Sequence, residues 1–169
     1  MNDAHTTDLP MILSLKKLTV SRSLSQETMA YTADVFLDGV TVGHVRNSGN
    51  GGMSLLHVHP VHRPAVAAFE AELRALPARL DDGLDLQDRC IEDAIDTLAA
   101  QMDLVRGVRS NIKRYTKTGT LFITAEGEVM QSAGQGKPLE EALVAKYPGA
   151  TIINGMPIDE AVAYCTPFM

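Results

Sequence analysis

Asp38-Gly39 constrains this chain more than any other pair of residues. It follows a run, residues 27–37, in which Met29, Tyr31, Ala33, Val35 and Leu37 alternate onto one face. A second run, Val40 to Asn47, follows it. A two-residue type I′ turn needs positive φ at both central positions, and Asp-Gly meets that need. The expectation is a tight hairpin pairing Leu37 with Val40, Val35 with Val42, Ala33 with His44 and Tyr31 with Arg46. Continued alternation then sets His44 and Arg46 on the apolar face, at its far end.

Other elements assemble around this hairpin. Residues 12–20 read as a first strand and residues 53–59 as a fourth. Pro64 to Leu76 reads as a helix with Val66, Phe69, Leu73 and Leu76 on its buried stripe, stopped by Pro77. A second helix is expected from Leu86 to Val105, capped by Asp85 with Asp88 at the third helical position, and ended by Gly107. Its apolar face holds Cys90, Ile91, Ala94, Ile95, Leu98 and Met102. Asp85, Asp88, Glu92, Asp96 and Asp103 form an opposite, solvated stripe. Further on, residues 120–124 and 128–132 read as a hairpin about Glu126-Gly127. Residues 138–147 read as a helix, 150–153 as a strand and 157–164 as a last helical stretch. The fold class is α+β: a mainly antiparallel sheet packed by two amphipathic helices, with a smaller C-terminal αβ segment. Residues 1–10 read as a flexible tail and 11–169 as a single domain.

Composition fits that reading. The chain has 169 residues, 45% of them hydrophobic, with few aromatics and no Trp, so its core is aliphatic. That length buries enough surface to need no staple, and two cysteines make neither a disulfide framework nor a Cys-based zinc site. The polar N-terminus lacks a signal-peptide pattern, and no stretch approaches the ~18 apolar residues of a membrane span. The expected location is the cytoplasm, with no membrane partner. A net charge of −6 argues against a general nucleic-acid coat protein but leaves room for a local basic patch.

Three constellations carry chemistry. The loop Asn47-Ser48-Gly49-Asn50-Gly51-Gly52 has enough glycine for backbone N–H groups to converge on an anion, with Tyr31, His44 and Arg46 beside it. No helix is expected to open after it, so it is neither a Rossmann nor a phosphate-loop turn. The segment Arg106, Arg109, Lys113, Arg114, Lys117 encloses Tyr115, and no acidic residue occurs from Leu104 to Ala125. It suits an anionic partner, or equally a helix C-terminus. His57 and His59 alternate on a strand, so both rings share a face. With His62 or His44 they offer ligands to a divalent transition metal. No Asp or Glu lies between Asp38 and Glu70 to act as their base. Gly134-Gln135-Gly136-Lys137-Pro138 is not a phosphate loop, because Gln131 and Pro138 stand where Gly and Ser or Thr are required.

Leu24-Ser25-Gln26-Glu27-Thr28-Met29-Ala30, then Asp38-Gly39, Gly43 and the loop 47–52, resemble the opening of short uncharacterised proteins of bacteria and their phages. The resemblance covers residues 12–55. It implies an accessory or prophage-type protein and a Gly-rich loop that belongs to the group. It implies no activity and no catalytic residue.

The expected function is a non-enzymatic binding protein, without a cofactor, that recognises an anionic small molecule, a nucleic acid or a protein partner through the Gly-rich loop and basic residues. Nucleic acid ranks behind the other partners, and an open edge strand admits a homodimer. The alternative is a metal-dependent hydrolase or phosphoesterase on His57, His59 and His62.

Overall fold

The computed structural model describes residues 11–76 and 90–169. The expected tail at 1–10, Pro77, Asp85, Leu86 and Asp88 lie outside them. The fold is α+β, and the chain divides into two compact units, Met1–Gln101 and Met102–Met169.

The first unit holds a four-stranded antiparallel sheet in the order β1-β2-β3-β4: β1 Leu13–Val20, β2 Tyr31–Leu37, β3 Val40–Asn47 and β4 Leu55–Val58. Asp38 (φ 48°) and Gly39 (φ 79°) make the expected turn, and Leu37 faces Val40. Asp38 also ties the turn to β1, its carboxylate accepting the Ile12 N–H at 2.8 Å.

The register beyond that first pair is a correction to the alternation. Phe36 faces Thr41, but Val35 faces Gly43, so Val42 is an extra residue, a β-bulge. From there Asp34 pairs with His44, Ala33 with Val45, Thr32 with Arg46 and Tyr31 with Asn47. Strict alternation would bury His44 and Arg46 and leave Val45 in water. The bulge reverses this: Val42 and Val45 are both buried, and His44 and Arg46 are exposed. Desolvating a guanidinium costs far more than one irregular ladder step. The carbonyl of Val42 is not lost, because it accepts the His59 N–H. Gly43 is required beside the bulge: a Cβ there would stand 2.3 Å from the carbonyl oxygen of His57 on β4.

β1 uses the same device. Lys17 adopts a left-handed φ of 53°, and the pairing slips between Lys16 and Thr19. Leu13, Leu15 and Leu18 thereby all point inward. The inward face also carries Tyr31, Ala33, Val35 and Leu37. A 3-10 turn, Pro60–His62, leads into α1, Arg63–Ala75, whose Val66, Phe69 and Leu73 are buried as expected. α2 contributes Ile91, Ile95 and Ala99 to the core. Its Asp93 carboxylate accepts the Cys90 N–H, one arm of a capping box.

α2 is a second correction. It runs Ile91–Thr118, well beyond Val105, and Gly107 lies inside it. A glycine costs a helix interior only ~1 kcal/mol, which the burial of Val108 and Ile112 beyond it offsets. The true end is capped from a distance. Gln131 Nε2 donates to the Tyr115 carbonyl, and Gln135 Nε2 to that of Thr116. Asn154 Nδ2 donates to the Gly119 carbonyl just past the helix.

In the second unit β5 Gly119–Ile123 is the central strand between β6 Val129–Ala133 and β7 Thr151–Ile152, all antiparallel. α3 Lys137–Lys146 and α4 Ile158–Cys165 complete it. Leu121 and Ile123 join Val108, Ile112, Ile153, Ala161, Val162 and Cys165 in one core. Phe122 points the other way, against Tyr147 with ring centroids 5.3 Å apart. Both faces of β5 are covered, which is why every one of its residues is buried.

Candidate functional site

The Gly-rich loop is fastened from both sides. Asn47 is buried and all four of its hydrogen-bonding positions are used. Its Oδ1 accepts from the Gly49 N–H at 2.8 Å and from Thr28 Oγ1 at 3.1 Å. Its Nδ2 donates to the Gly52 carbonyl and to Ser54 Oγ. The Gly51 N–H donates to Thr28 Oγ1. The N–H groups of Gln26, Glu27 and Thr28 converge instead on the carbonyl oxygen of Gly49, at 3.0 to 3.3 Å. Gly49 is buried, while Ser48, Asn50, Gly51 and Gly52 are exposed. A cradle of amides does exist here, but residues 26–28 build it and the protein's own backbone fills it. The Glu27 carboxylate lies over Gly51, 2.1 Å from where a Cβ would stand.

Tyr31 is buried on the inward face and does not flank an open loop. Its hydroxyl donates to Asp96 Oδ1 at 2.5 Å and stands 2.9 Å from Ser54 Oγ. Ser54 also donates to Asp96 Oδ1. Burial, followed by the Asp96 hydrogen bond, drives the Tyr31 phenol well above its ordinary pKa. Asp96 is therefore not part of a wholly solvated stripe, as its spacing suggested. It is half-buried and joins α2 to β2 and to the loop before β4. Sequence reasoning missed Asp96, Ser54 and Thr28 as a set, because residues 28, 54 and 96 meet only through the fold. The network fastens elements together: Ser54 is buried, and Asp96 Oδ1 already accepts from two hydroxyls.

His44 and Arg46 stand on the outward face of the sheet. His44 Nδ1 lies 3.2 Å from Asp34 Oδ1, and Lys17 Nζ lies 2.9 Å from Asp34 Oδ2. Lys17, then His44, hold the Asp34 carboxyl below its ordinary range. His57 on β4 is the cross-strand neighbour of His44, and Leu55 is that of Arg46. Lys16 pairs across to Asp34 and places its ammonium 4.2 Å from the centroid of the Phe36 ring. This face thus carries Lys16, Lys17, His44, Arg46 and His57. Asp34, already paired, is the one carboxylate within the four strands.

The remaining candidates are more dispersed. His57 and His59 are exposed, His62 is half-buried, and the rings of His59 and His62 are 6.5 Å apart. Among the described residues no group of three His, Cys, Asp or Glu side chains is placed to hold a metal ion. On α2, Arg106, Arg109, Lys113 and Lys117 follow one another at spacings of three and four along one helix face. Arg109 is engaged by Asp159 at 2.5 Å. Arg114 bonds the Tyr115 hydroxyl and Asn111. Burial pushes the Cys90 thiol up to about 11, so it is a poor nucleophile near neutral pH. Among the described residues no helix is long and apolar enough to cross a membrane.

No protein-family model, curated protein or solved structure matches this chain. The geometry of the site alone carries the functional reading.

Proposed function

We propose that this chain is a non-enzymatic binding protein, of the accessory kind its phage-like opening implies, and that it grips an anionic partner with the outward face of the four-stranded sheet. The observation that carries this reading is the bulge at Val42, which turns His44 and Arg46 outward into line with His57. Three permanent cations, Lys16, Lys17 and Arg46, face one carboxylate, within a chain whose net charge is −6. A local field of that sign, kept against the overall balance, attracts anions. The Gly-rich loop supports the face by holding the end of β3 through Asn47, and it leaves the ligand to the strands. The row on α2 is the weaker candidate, because Arg109 and Arg114 already have partners.

Charge reversal tests the reading. Arg46→Glu and Lys16→Glu should each weaken binding to heparin about tenfold and flatten its salt dependence, since each removes a contact that releases counterions. Lys113→Glu, on the exposed part of α2, should leave that affinity unchanged. Sensitivity to Lys113→Glu alone would move the site off the sheet.

A further inference from the structure

We infer that the anionic partner of the sheet face is a single-stranded nucleic acid. The inference rests on the reading just given and deepens it to a substrate class. Two observations select the class. The first is breadth. Lys16 and Lys17 stand on one edge strand and His57 on the other, three inter-strand steps away, about 14 Å. One phosphate cannot touch both sides, whereas a polyanion can.

The second observation is what lies among the cations. Phe36 sits half-buried on this outward face, flanked across the ladder by Ser14 and Thr41, both small. The Lys16 ammonium lies over its ring. The carboxylates two positions away on either side are both occupied, Asp34 by Lys17 and Asp38 by the Ile12 N–H. Beside Arg46 stands Leu55, 52% exposed. Apolar surface interleaved with cations suits a ligand that offers both phosphates and aromatic faces. A single strand does so, because its bases are free to stack on a ring, while a duplex hides them. A sulfated polysaccharide offers charge without a stacking face.

Fluorescence anisotropy of the full chain with a labelled mixed-sequence 12-nucleotide strand, its duplex, and a heparin oligosaccharide tests the inference. The expected result is saturable, salt-sensitive binding of the single strand, tighter than the duplex. Phe36→Leu should weaken the strand about fivefold or more, the lower end of a lost stacking contact, and leave heparin affinity unchanged. If Phe36→Leu moves neither affinity, or an acidic peptide binds where oligonucleotides do not, the nucleic-acid inference fails while the anion-binding face survives. If no polyanion binds, both fall. Photo-crosslinking of the unaltered protein to a 4-thiouridine strand keeps the test valid should Phe36→Leu misfold. Crosslinks are expected within residues 14–17, 32–36, 44–46 and 55–57, and crosslinks confined to 48–52 or 106–117 would overturn it.

Discussion

Gly49→Ala should lower the thermal midpoint of the first unit by roughly 10 °C or more, the equivalent of about 3 kcal/mol. Three costs coincide. The residue has φ +84°, where an L side chain costs ~1–2 kcal/mol. The new Cβ would meet the Leu24 carbonyl oxygen at 2.3 Å and the Ala30 Cβ at 2.9 Å. Relieving that contact moves the one carbonyl that satisfies the N–H groups of Gln26, Glu27 and Thr28 together. Gly52→Ala is the internal reference. Nothing lies within 4 Å of its added Cβ, and its φ lies outside the left-handed region. It should shift stability by less than ~1 kcal/mol. Equal, small effects at both positions, read from thermal melts, would mean that the loop is an unfastened connection.

Asp96→Ala should cost about 3 kcal/mol, measured by urea unfolding. The carboxylate oxygen accepts two hydroxyl donors from Tyr31 and Ser54, both buried, and bonds to a charged acceptor contribute ~1.5–3 kcal/mol each. The two hydroxyls can still bond each other at 2.9 Å, which limits the loss. A solvated helix carboxylate would cost no more than ~0.5 kcal/mol. Tyr31→Phe and Asp96→Ala should not add, because they share one interaction. The pair also has a pH signature. The folded pKa of Tyr31 is raised above its ordinary 10.0, so the stability it contributes is fully present below that pH. It is lost as pH climbs through 10 toward the folded value. The unaltered protein should therefore lose stability more steeply above pH 10 than Tyr31→Phe does, and parallel curves would remove Tyr31 from the network.

Local chemistry was legible and long-range chemistry was not. Asp38-Gly39 announced its hairpin because two positive φ values are a local demand. The strands and helices after residue 118 fall within a residue or so of their expected ends, since Pro138, Pro148-Gly149 and Asn154-Gly155 punctuate them. Alternation carried the register only as far as Thr41. The bulge at Val42 follows from a competition between burying Val45 and burying Arg46, and no turn residue advertises it. Gly107 read as a helix stop, yet Gln131, Gln135 and Asn154 supply the true cap from 15 or more residues away. The Gly-rich loop stood out for composition, and its glycines answer to Leu24, Ala30 and Glu27, neighbours that only the fold supplies. The candidate face was half visible: His44, Arg46 and His57 were singled out, while Lys16, Lys17 and Phe36 drew no attention until the ladder set them beside Asp34, Ser14 and Thr41.

Which side of the sheet meets the ligand decides the account. Two-dimensional NMR of the labelled protein, titrated with a heparin hexasaccharide, maps that contact residue by residue. The perturbed signals should cluster at Lys16, Lys17, His44, Arg46 and His57. Perturbations gathered at residues 48–52 or 106–117, with the strand residues silent, would contradict it.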